Sequence, residues 1–406
     1  MHRRLTRRSL LGPASGLLVA PVLVPSLPVD VWSGRAGASP AATPAASGLD
    51  TVLRAAIERG LPGVALLVER DGELVYSGAA GVANIAQQIP LEATDRFRIY
   101  SIAKMFTAIV VLKLVDDGVL ALNDTVAQWL DDPAVGRIPN VDRITLHQLL
   151  NHSSGIYDFA DDNDSPFWQD AFLGPDADWE KVWSLEELLA YADGARHAPY
   201  FAPGEGVFYS NTDYVLLGMI VEEATGHRFG DELRSRILEP LALGDTFLPE
   251  GGEMPEGIVR GYQLIGGELV DVSASNLSWL WTAGGMVSTT ADLVRFGDAV
   301  FGGELISPAS FKEMFTFVPE PRRPGIAQGL GVYRIETSNG ELVGNDGQGV
   351  GFGSSMMLLK EADISIVVLA NMAPDEGKIN GVRDETISWV LAQSPAMPNG
   401  SATPAA

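Results

Sequence analysis

The segment from Asp95 to Gly118 reads DRFRIYSIAKMFTAIVVLKLVDDG and carries the strongest indication of the fold. From Ile102 to Val115 the residues are almost all apolar, which predicts a helix buried on nearly every side rather than a surface helix. Gly118 is the residue type that most readily ends a helix. We therefore expect one long buried helix, with Ser101 at its N-terminal end.

Lys104 is the exception in this apolar segment, because a buried ammonium group must be paired, reach the surface or lose basicity. Ser101 lies three residues earlier, so both side chains share one face of the helix. Unpaired N–H groups and the positive end of the helix dipole would stabilise an anion that forms there. A hydroxyl beside such an amine is a candidate activated nucleophile. The alternative is a helix-capping serine with a surface lysine, since Ser-x-x-Lys is expected by chance about once in a chain this long.

Composition excludes several classes of protein. The 406 residues include no cysteine, so disulfides, thiolate metal sites and cysteine nucleophiles are ruled out. A net charge of −24 is incompatible with nucleic-acid binding. The same charge would repel an anionic substrate at long range unless a local cation offset it. The chain is long enough for one large domain or two closely packed domains.

The N-terminus has the features of an export signal. Residues 1–38 contain Thr6-Arg7-Arg8-Ser9-Leu10-Leu11, then an apolar region and the small residues Ala36-Gly37-Ala38. This pattern predicts a twin-arginine signal cleaved after Ala38 and an exported, periplasmic or extracellular protein. Prolines interrupt the apolar region, which argues against stable membrane insertion once the signal is removed.

Small residues also define the ends of the folded part. Residues 39–48 and 393–406 are rich in alanine, serine and proline, and we predict a disordered linker and a disordered tail there. The folded domain is therefore expected over residues 49–392.

Strand patterns lie near both ends of this domain, and helix patterns lie between them. Residues 63–70 and 73–78 are typical of strands joined at Asp71-Gly72, and residues 329–371 contain further strands, two of them around Asn339-Gly340. We expect an α+β fold in which one antiparallel sheet, built from both chain ends, is flanked by helices and carries a mostly helical second lobe. A cleft would form between the lobes. Further helix patterns cover residues 50–59, 145–150, 185–192, 213–225, 291–301 and 376–392.

Tyr209-Ser210-Asn211 precedes one of these helix patterns and places a phenol and a carboxamide at the edge of the helical lobe. A phenol near a lysine loses its proton more readily, because the cation stabilises phenolate. Tyr209 would then relay a proton from Ser101 to a leaving group. The alternative is a loop tyrosine that packs on apolar neighbours.

The segment Gly344-Asn-Asp-Gly-Gln-Gly-Val-Gly-Phe352 lies between two expected strands. Its glycines would let a substrate approach the backbone closely. The spacing is not that of a dinucleotide-binding loop, and a strand rather than a helix follows, so we exclude a nucleotide site. His147 and His152 are five residues apart, which does not fit a zinc-binding helix, and we predict no metal site.

Two further segments complete an ordered set of motifs, Leu149-Leu-Asn-His-Ser-Ser-Gly155 and Gly284-Gly-Met-Val-Ser-Thr-Thr-Ala-Asp-Leu293. Together with Ser101, Lys104, Tyr209, Asn211 and the glycine-rich segment 344–352, they resemble the penicillin-recognising serine hydrolases. That family includes class C beta-lactamases, D-alanyl-D-alanine carboxypeptidases and related esterases. The resemblance covers roughly residues 50–392.

The resemblance implies that Ser101 attacks a carbonyl carbon and forms an acyl-enzyme without a metal or an organic cofactor. Lys104 and Tyr209 would share the general-base and general-acid work, and the sequence leaves open which of them is the base. Asn211 would orient the substrate amide or Lys104.

The resemblance also implies that Asn345, Gly347 and Gln348 contact the substrate, with the backbone N–H of Gln348 and that of the nucleophile forming an oxyanion hole. Family members usually carry lysine or histidine where this chain has Asn345, which is uncharged. The absence of a cation at this position weakens the case for a substrate carboxylate and favours a neutral ester or a peptide held by its backbone. Arg260 and Arg334 are candidates to restore the charge.

The sequence therefore predicts an exported serine hydrolase that cleaves an amide or ester bond in a small molecule or peptide, resembling a D-Ala-D-Ala carboxypeptidase or beta-lactamase. It leaves the oligomeric state open. The alternatives are a carboxylesterase acting on neutral esters and a penicillin- or muropeptide-binding module that does not hydrolyse its ligand.

Overall fold

The computed structural model describes residues 44–160, 165–174, 176–252, 254–373 and 378–393. The predicted export signal and nearly all of the predicted tail lie outside these residues, so both stay predictions.

The helices and strands are numbered along the chain. The strands are β1 (Gly63–Arg70), β2 (Glu73–Asn84), β3 (Ile89–Pro90), β4 (Phe97–Arg98), β5 (Tyr262–Ile265), β6 (Glu268–Asp271), β7 (Val287–Ser288), β8 (Val318–Pro319), β9 (Ile326–Gln328), β10 (Tyr333–Thr337), β11 (Gly340–Gly349), β12 (Phe352–Leu359) and β13 (Ile364–Ala370). The α-helices are α1 (Pro44–Glu58), α2 (Ala103–Asp116), α3 (Val126–Trp129), α4 (Leu146–Leu150), α5 (Leu185–Leu189), α6 (Asn211–Thr225), α7 (Phe229–Leu233), α8 (Thr290–Phe301), α9 (Pro308–Met314) and α10 (Lys378–Ala392).

The main sheet is antiparallel and joins the two ends of the described chain. Its nine strands lie in the order β3-β2-β1-β13-β12-β11-β10-β9-β8. The N-terminal strand β1 pairs with the C-terminal strand β13, from Val64 opposite Ala370 to Arg70 opposite Ile364. The predicted α+β fold, with a sheet built from both chain ends, is confirmed.

Alternating side chains give this sheet two buried faces. On β1, Val64, Leu66 and Val68 share a core with residues of α1 and α10, whereas Ala65 and Leu67 belong to the core that the sheet shares with the helical lobe. Because successive side chains of a strand point to opposite faces, the near-continuous apolar pattern of β1 reflects burial on both sides.

Helix α2 lies at the centre of the larger core. All its residues from Ala103 to Leu112, and also Leu114, are buried, as the apolar sequence predicts. The chain leaves the helix through Gly118, whose φ of 73° is readily adopted by glycine. A helix buried on nearly every side fixes its first turn firmly, and that turn borders the cleft.

Several boundaries differ from the expected ones, and three of them matter for the domain or the site. Helix α1 begins at Pro44, five residues before the expected start of the domain at residue 49. Helix α6 begins at Asn211, so this residue opens the helix instead of preceding it. The glycine-rich segment is mostly strand, because β11 continues to Gly349 and pairs with β12 along this length. Glycine disfavours strands in isolation, and cross-strand pairing overrides that preference here.

Candidate active site

Ser101 lies in a single 3₁₀ turn, Tyr100–Ile102, that leads directly into α2. The preceding Tyr100 has a φ of 47°, an uncommon conformation for a residue with a side chain. Tyr100 is fully buried, and its hydroxyl donates a hydrogen bond to the carbonyl oxygen of Val350 at 2.6 Å. This anchor stabilises the strained backbone that presents Ser101 to the cleft.

Lys104 is fully buried one turn into the helix. Its Nζ donates to Ser101 Oγ at 3.3 Å, to Asn211 Oδ1 at 2.8 Å and to the carbonyl oxygen of Ala283 at 2.6 Å. An ammonium group has three N–H donors, so these three acceptors suit the charged form of the lysine. The structure thus excludes the alternative of a surface lysine.

Tyr209 completes the group around the serine. Its hydroxyl lies 2.6 Å from Ser101 Oγ, and Lys104 Nζ lies 4.7 Å from the centre of its ring. The phenol oxygen is therefore closer to Ser101 than the amine is. A cation so near the ring favours the phenolate form, which can accept the proton of Ser101.

Asn211 connects this group to a buried carboxylate that the sequence analysis did not identify. Its Nδ2 donates to Asp158 Oδ1 at 3.3 Å and to Asp158 Oδ2 at 3.2 Å. Both side chains are buried in the helical lobe. Asp158 follows the segment 149–155 by three residues, and no spacing in the sequence connects it to Asn211.

The His152 ring packs beside that of Tyr209, with the ring centres 4.6 Å apart. Its Nδ1 accepts a hydrogen bond from the Ser210 backbone N–H at 3.2 Å and lies 3.3 Å from Asp213 Oδ2. Burial, together with the nearby Lys104 and Arg323, holds the pKa of His152 well below its usual value, and burial raises the pKa of Asp213 well above its usual value. His152 is therefore a neutral structural residue. Among the described residues, no group of three or more histidine and carboxylate side chains is placed to hold a metal ion.

The residues expected on the late strand lie along β11. Asn345 is buried and its Nδ2 donates to the Gly331 carbonyl oxygen at 3.0 Å, whereas Gln348 is exposed at the cleft. Gly347 does not leave room for a substrate. A Cβ atom there would lie 2.1 Å from the carbonyl oxygen of Ile99, so this glycine lets β11 pack directly on the chain that leads to Ser101.

The cleft between the lobes has a volume of about 1190 Å³. Ser101, Tyr209, Asn211, Asn345 and Gln348 all border it, so the structure brings these sequence-predicted residues together. Its walls also include several apolar side chains, which offer a surface for an apolar part of a substrate. These are Pro166, Trp168, Leu173, Phe208, Trp279 and Leu280.

The two arginines proposed from the sequence to restore a positive charge do not border the cleft. Arg260 pairs with Asp271 at 2.8 Å, and Arg334 pairs with Glu341 at 2.9 Å. Arg322 does border the cleft. Its guanidinium carbon lies 4.2 Å from the centre of the Phe208 ring, and it forms no ion pair with a described residue. Nothing in the local sequence distinguishes Arg322 from the other arginines.

A second cavity of about 730 Å³ lies among residues of the helical lobe, with Leu277, Ser278, Trp281 and Gly285 on one side. It is more apolar than the cleft, but neither Ser101 nor Tyr209 borders it. We therefore place the chemistry in the larger cleft. No helix among the described residues has the length and apolar character needed to cross a membrane.

Comparison with known proteins gives one family. The family model described as Beta-lactamase matches residues 49–385. A solved structure of a D-stereospecific amidohydrolase from Streptomyces sp. is 32% identical in sequence, with a TM-score of 0.71, and the match covers 82% of this chain and 97% of that one. A D-amino acid amidase from Ochrobactrum anthropi, solved in complex with L-phenylalanine, is 28% identical with a TM-score of 0.74, covering 85% of this chain and 98% of the other.

The chain is also similar to longer proteins. Penicillin-binding protein 4* of Bacillus subtilis is 27% identical over 324 residues, which is 76% of this chain and 68% of that protein. The protein flp of Staphylococcus aureus is 26% identical, and the chain spans 62% of its length. The similarity to these relatives therefore concerns one part of each.

Proposed function

The chain belongs to the Beta-lactamase family of serine hydrolases, and from this premise we propose that it hydrolyses an amide bond next to a D-configured residue through an acyl-enzyme on Ser101. The observation that carries the proposal is the 2.6 Å contact between Ser101 Oγ and the Tyr209 hydroxyl, beside the buried ammonium of Lys104. A similar structure that is named for D-stereospecific amide hydrolysis supports the choice of bond.

In the proposed mechanism, Tyr209 takes the proton of Ser101 while Lys104 stabilises the phenolate. Ser101 Oγ bonds to the carbonyl carbon, and the backbone N–H groups of Ser101 and Gln348 stabilise the negative oxygen. One such donor contributes about 3 kcal/mol to transition-state stabilisation. The C–N bond then breaks, the amine leaves with the proton from Tyr209, and water releases the acyl group by the same steps in reverse.

The lining of the cleft supports a substrate with an apolar side chain. Trp168 and Trp279 belong to one cluster of aromatic rings, with ring centres 5.7 Å apart, and both border the cleft. Aromatic faces favour apolar or aromatic groups. A volume of about 1190 Å³ also exceeds what one amino acid fills, so the site can take a peptide.

The test is turnover of the D- and L-phenylalanine p-nitroanilides, a short-chain p-nitrophenyl ester and a fluorescent penicillin. We expect the D-anilide to be cleaved at least about tenfold faster than the L-anilide, and no turnover by Ser101→Ala. Turnover of the ester alone would favour the carboxylesterase alternative. Stable labelling by penicillin, without turnover of any substrate, would favour the binding module.

A second candidate activity, removal of a C-terminal D-residue, is favoured by Arg322. The leaving amine takes its proton from Tyr209. The Arg322 guanidinium stacks on the ring of Phe208, the residue next to Tyr209. A guanidinium stacked on a ring keeps its N–H edge available for a carboxylate. Other cleft arginines are neutralised: Arg323 by Glu320 and Arg383 by Asp346.

This candidate predicts that a D,D-dipeptide derivative with a free C-terminal carboxylate is a better substrate than its C-terminal amide. Arg322→Gln should raise the KM for the acid about tenfold and leave the amide unchanged. Arg143→Gln is the matched control, because Arg143 is exposed outside the cleft and bonds to Asn140. Equal use of acid and amide by the wild-type protein would exclude this candidate.

We further propose that the protein is exported, as the twin-arginine pattern of residues 1–38 predicts. Replacing Arg7 and Arg8 with lysine should retain the full-length protein inside the cell. Mass spectrometry of the exported wild-type protein should find a new N-terminus at Ser39, and recovery of residues 1–38 on the exported protein would contradict this.

A further inference from the structure

The Asn211 side chain lies between two buried charged groups of opposite sign. Its Oδ1 accepts from Lys104 Nζ at 2.8 Å, and its Nδ2 donates to both oxygens of Asp158, at 3.3 and 3.2 Å. All three side chains are buried, with exposures of 0% for Lys104 and Asp158 and 3% for Asn211. Water therefore screens these contacts little.

An asparagine amide has two ends that are nearly equal in shape and opposite in hydrogen-bonding character. Rotation by 180° would turn the Nδ2 hydrogens of Asn211 toward the ammonium of Lys104 and its Oδ1 toward a carboxylate. Both contacts would then be repulsive. A carboxylate behind the amide thus selects the orientation in which Lys104 has its acceptor.

The carboxylate is itself fixed in place. Asp158 Oδ1 accepts from the Ala160 backbone N–H at 2.9 Å, and the Asp158 backbone N–H donates to the Tyr200 hydroxyl at 3.0 Å. Asp158 is also well placed to balance the charge of Lys104, since Asn211 contacts both side chains. A buried cation without a nearby negative charge is strongly destabilised.

We propose that Asp158 is a positioning residue that acts through Asn211: it fixes the orientation of the amide and supplies the negative charge that keeps Lys104 an ammonium ion beside Ser101. The inference rests on the proposed role of Ser101 as nucleophile. It does not depend on which amide or peptide is the natural substrate.

Other titratable groups also lie near Lys104. The rings of Tyr209 and Tyr214 lie 4.7 and 5.4 Å from its Nζ. Burial raises the pKa of Asp213 well above its usual value, and the Ser154 hydroxyl donates to its Oδ1 at 2.6 Å. Burial lowers the pKa of His152 well below its usual value, so its ring is neutral at pH 7.

The experiment measures how fast a fluorophosphonate labels Ser101, as a function of pH. This probe reports the reactivity of the serine whatever the substrate, since Ser101 Oγ bonds to phosphorus, fluoride leaves and the serine proton passes to the base. A labelled protein that cleaves none of the tested amides would contradict the proposed function alone. A wild-type protein that is not labelled would overturn both proposals.

Asp158→Asn should lower the maximal labelling rate at least about tenfold and change the half-saturating probe concentration less than threefold. Loss of the negative charge makes deprotonation of the Lys104–Tyr209 pair easier, so the acid limb of the profile should move to lower pH by about one unit. Asp213→Asn is the matched control, because Asp213 is equally buried and accepts from Ser154, whereas the Asn211 amide donates to Asp158; this variant should move the acid limb less than Asp158→Asn does.

A pair of variants tests that Asp158 acts through Asn211. Asn211→Asp places two carboxylates side by side and should move the acid limb to higher pH. The exchanged pair, Asn211→Asp with Asp158→Asn, restores one charge and one amide. We expect the exchanged pair to label faster than Asn211→Asp alone. Independent, multiplicative losses in the double variant, or an Asp158→Asn profile that matches the wild type, would overturn the proposal.

Discussion

At the scale of single residues, the site depends on a lysine that lies where an apolar residue would ordinarily be found. Lys104 is surrounded by the buried residues of α2, and hydrogen bonds to Asn211, Ala283 and Ser101 satisfy its three donors. The sequence predicted the proximity of Ser101 and Lys104, because helix geometry relates residues three apart. It could not predict Ala283 or Asp158 as partners, since these contacts depend on tertiary packing.

Lys104→Met tests this arrangement, because methionine is similar in length and tolerates a buried position. We expect activity toward any substrate of the protein, and the rate of fluorophosphonate labelling, to fall by about 10³-fold, since the cation that stabilises the Tyr209 phenolate is lost. The protein should remain folded, as judged by circular dichroism. A variant that keeps more than a tenth of the wild-type rate would show that Lys104 has no part in the chemistry.

At the scale of elements, the site depends on how closely β11 approaches the turn that carries Ser101. The sequence indicated glycines in this segment but suggested a reason for them that the structure does not support. A Cβ atom on Gly347 would lie 2.1 Å from the carbonyl oxygen of Ile99, and one on Gly349 would lie 2.0 Å from the ring of Tyr100. The local pattern shows that side chains are missing, but only the tertiary structure shows what fills the space.

Gly347→Ala should therefore destabilise the protein, because the new Cβ atom would clash with the backbone carbonyl oxygen of Ile99, which cannot rotate aside. We expect a loss of about 2 to 4 kcal/mol in the free energy of unfolding and a reduced rate of Ser101 labelling, measured by urea denaturation and with the fluorophosphonate probe. Gly381→Ala on α10 is the control, since a Cβ atom there meets nothing within 4 Å. That variant should gain about 0.5 to 1 kcal/mol, and equal stabilities for the two variants would contradict the account.

The packing of α8 on β1 gives a prediction about pH. Burial and the neighbouring Asp298 raise the pKa of Glu69 from 4.5 to about 7. The folded protein therefore binds the Glu69 proton more tightly than the unfolded chain does, and this stabilisation is complete below pH 4.5 and lost as the pH rises to about 7.

Glu69→Gln removes the repulsion between the two carboxylates. The free energy of unfolding of the variant should match that of the wild type near pH 5 and exceed it at pH 8. Thermal denaturation at both pH values checks this, with the exposed Glu223→Gln on α6 as the control. A variant that is equally or less stable than the wild type at pH 8 would show that the carboxyl pair is not strained.

At the scale of the whole molecule, the two lobes meet along one cleft, and each contributes part of the site. Ser101 comes from the turn before α2 and Lys104 from the first turn of that helix. Tyr209 lies just before α6, Asn211 is its first residue, and Gln348 lies at the C-terminal end of β11. The sequence predicted this architecture because strand patterns lie at its ends and helix patterns between them. The position of Arg322 followed from no pattern, because the loop between β8 and β9 reaches the cleft only in the folded protein.

The central claim is that the protein reacts through a covalent intermediate on Ser101. Intact-protein mass spectrometry after brief exposure to a panel of beta-lactams and activated esters, followed by peptide mapping, tests it most directly. The account predicts one acyl group per chain, located on the peptide that contains Ser101 and absent from Ser101→Ala. An acyl group on another residue, or an equal adduct on Ser101→Ala, would contradict it.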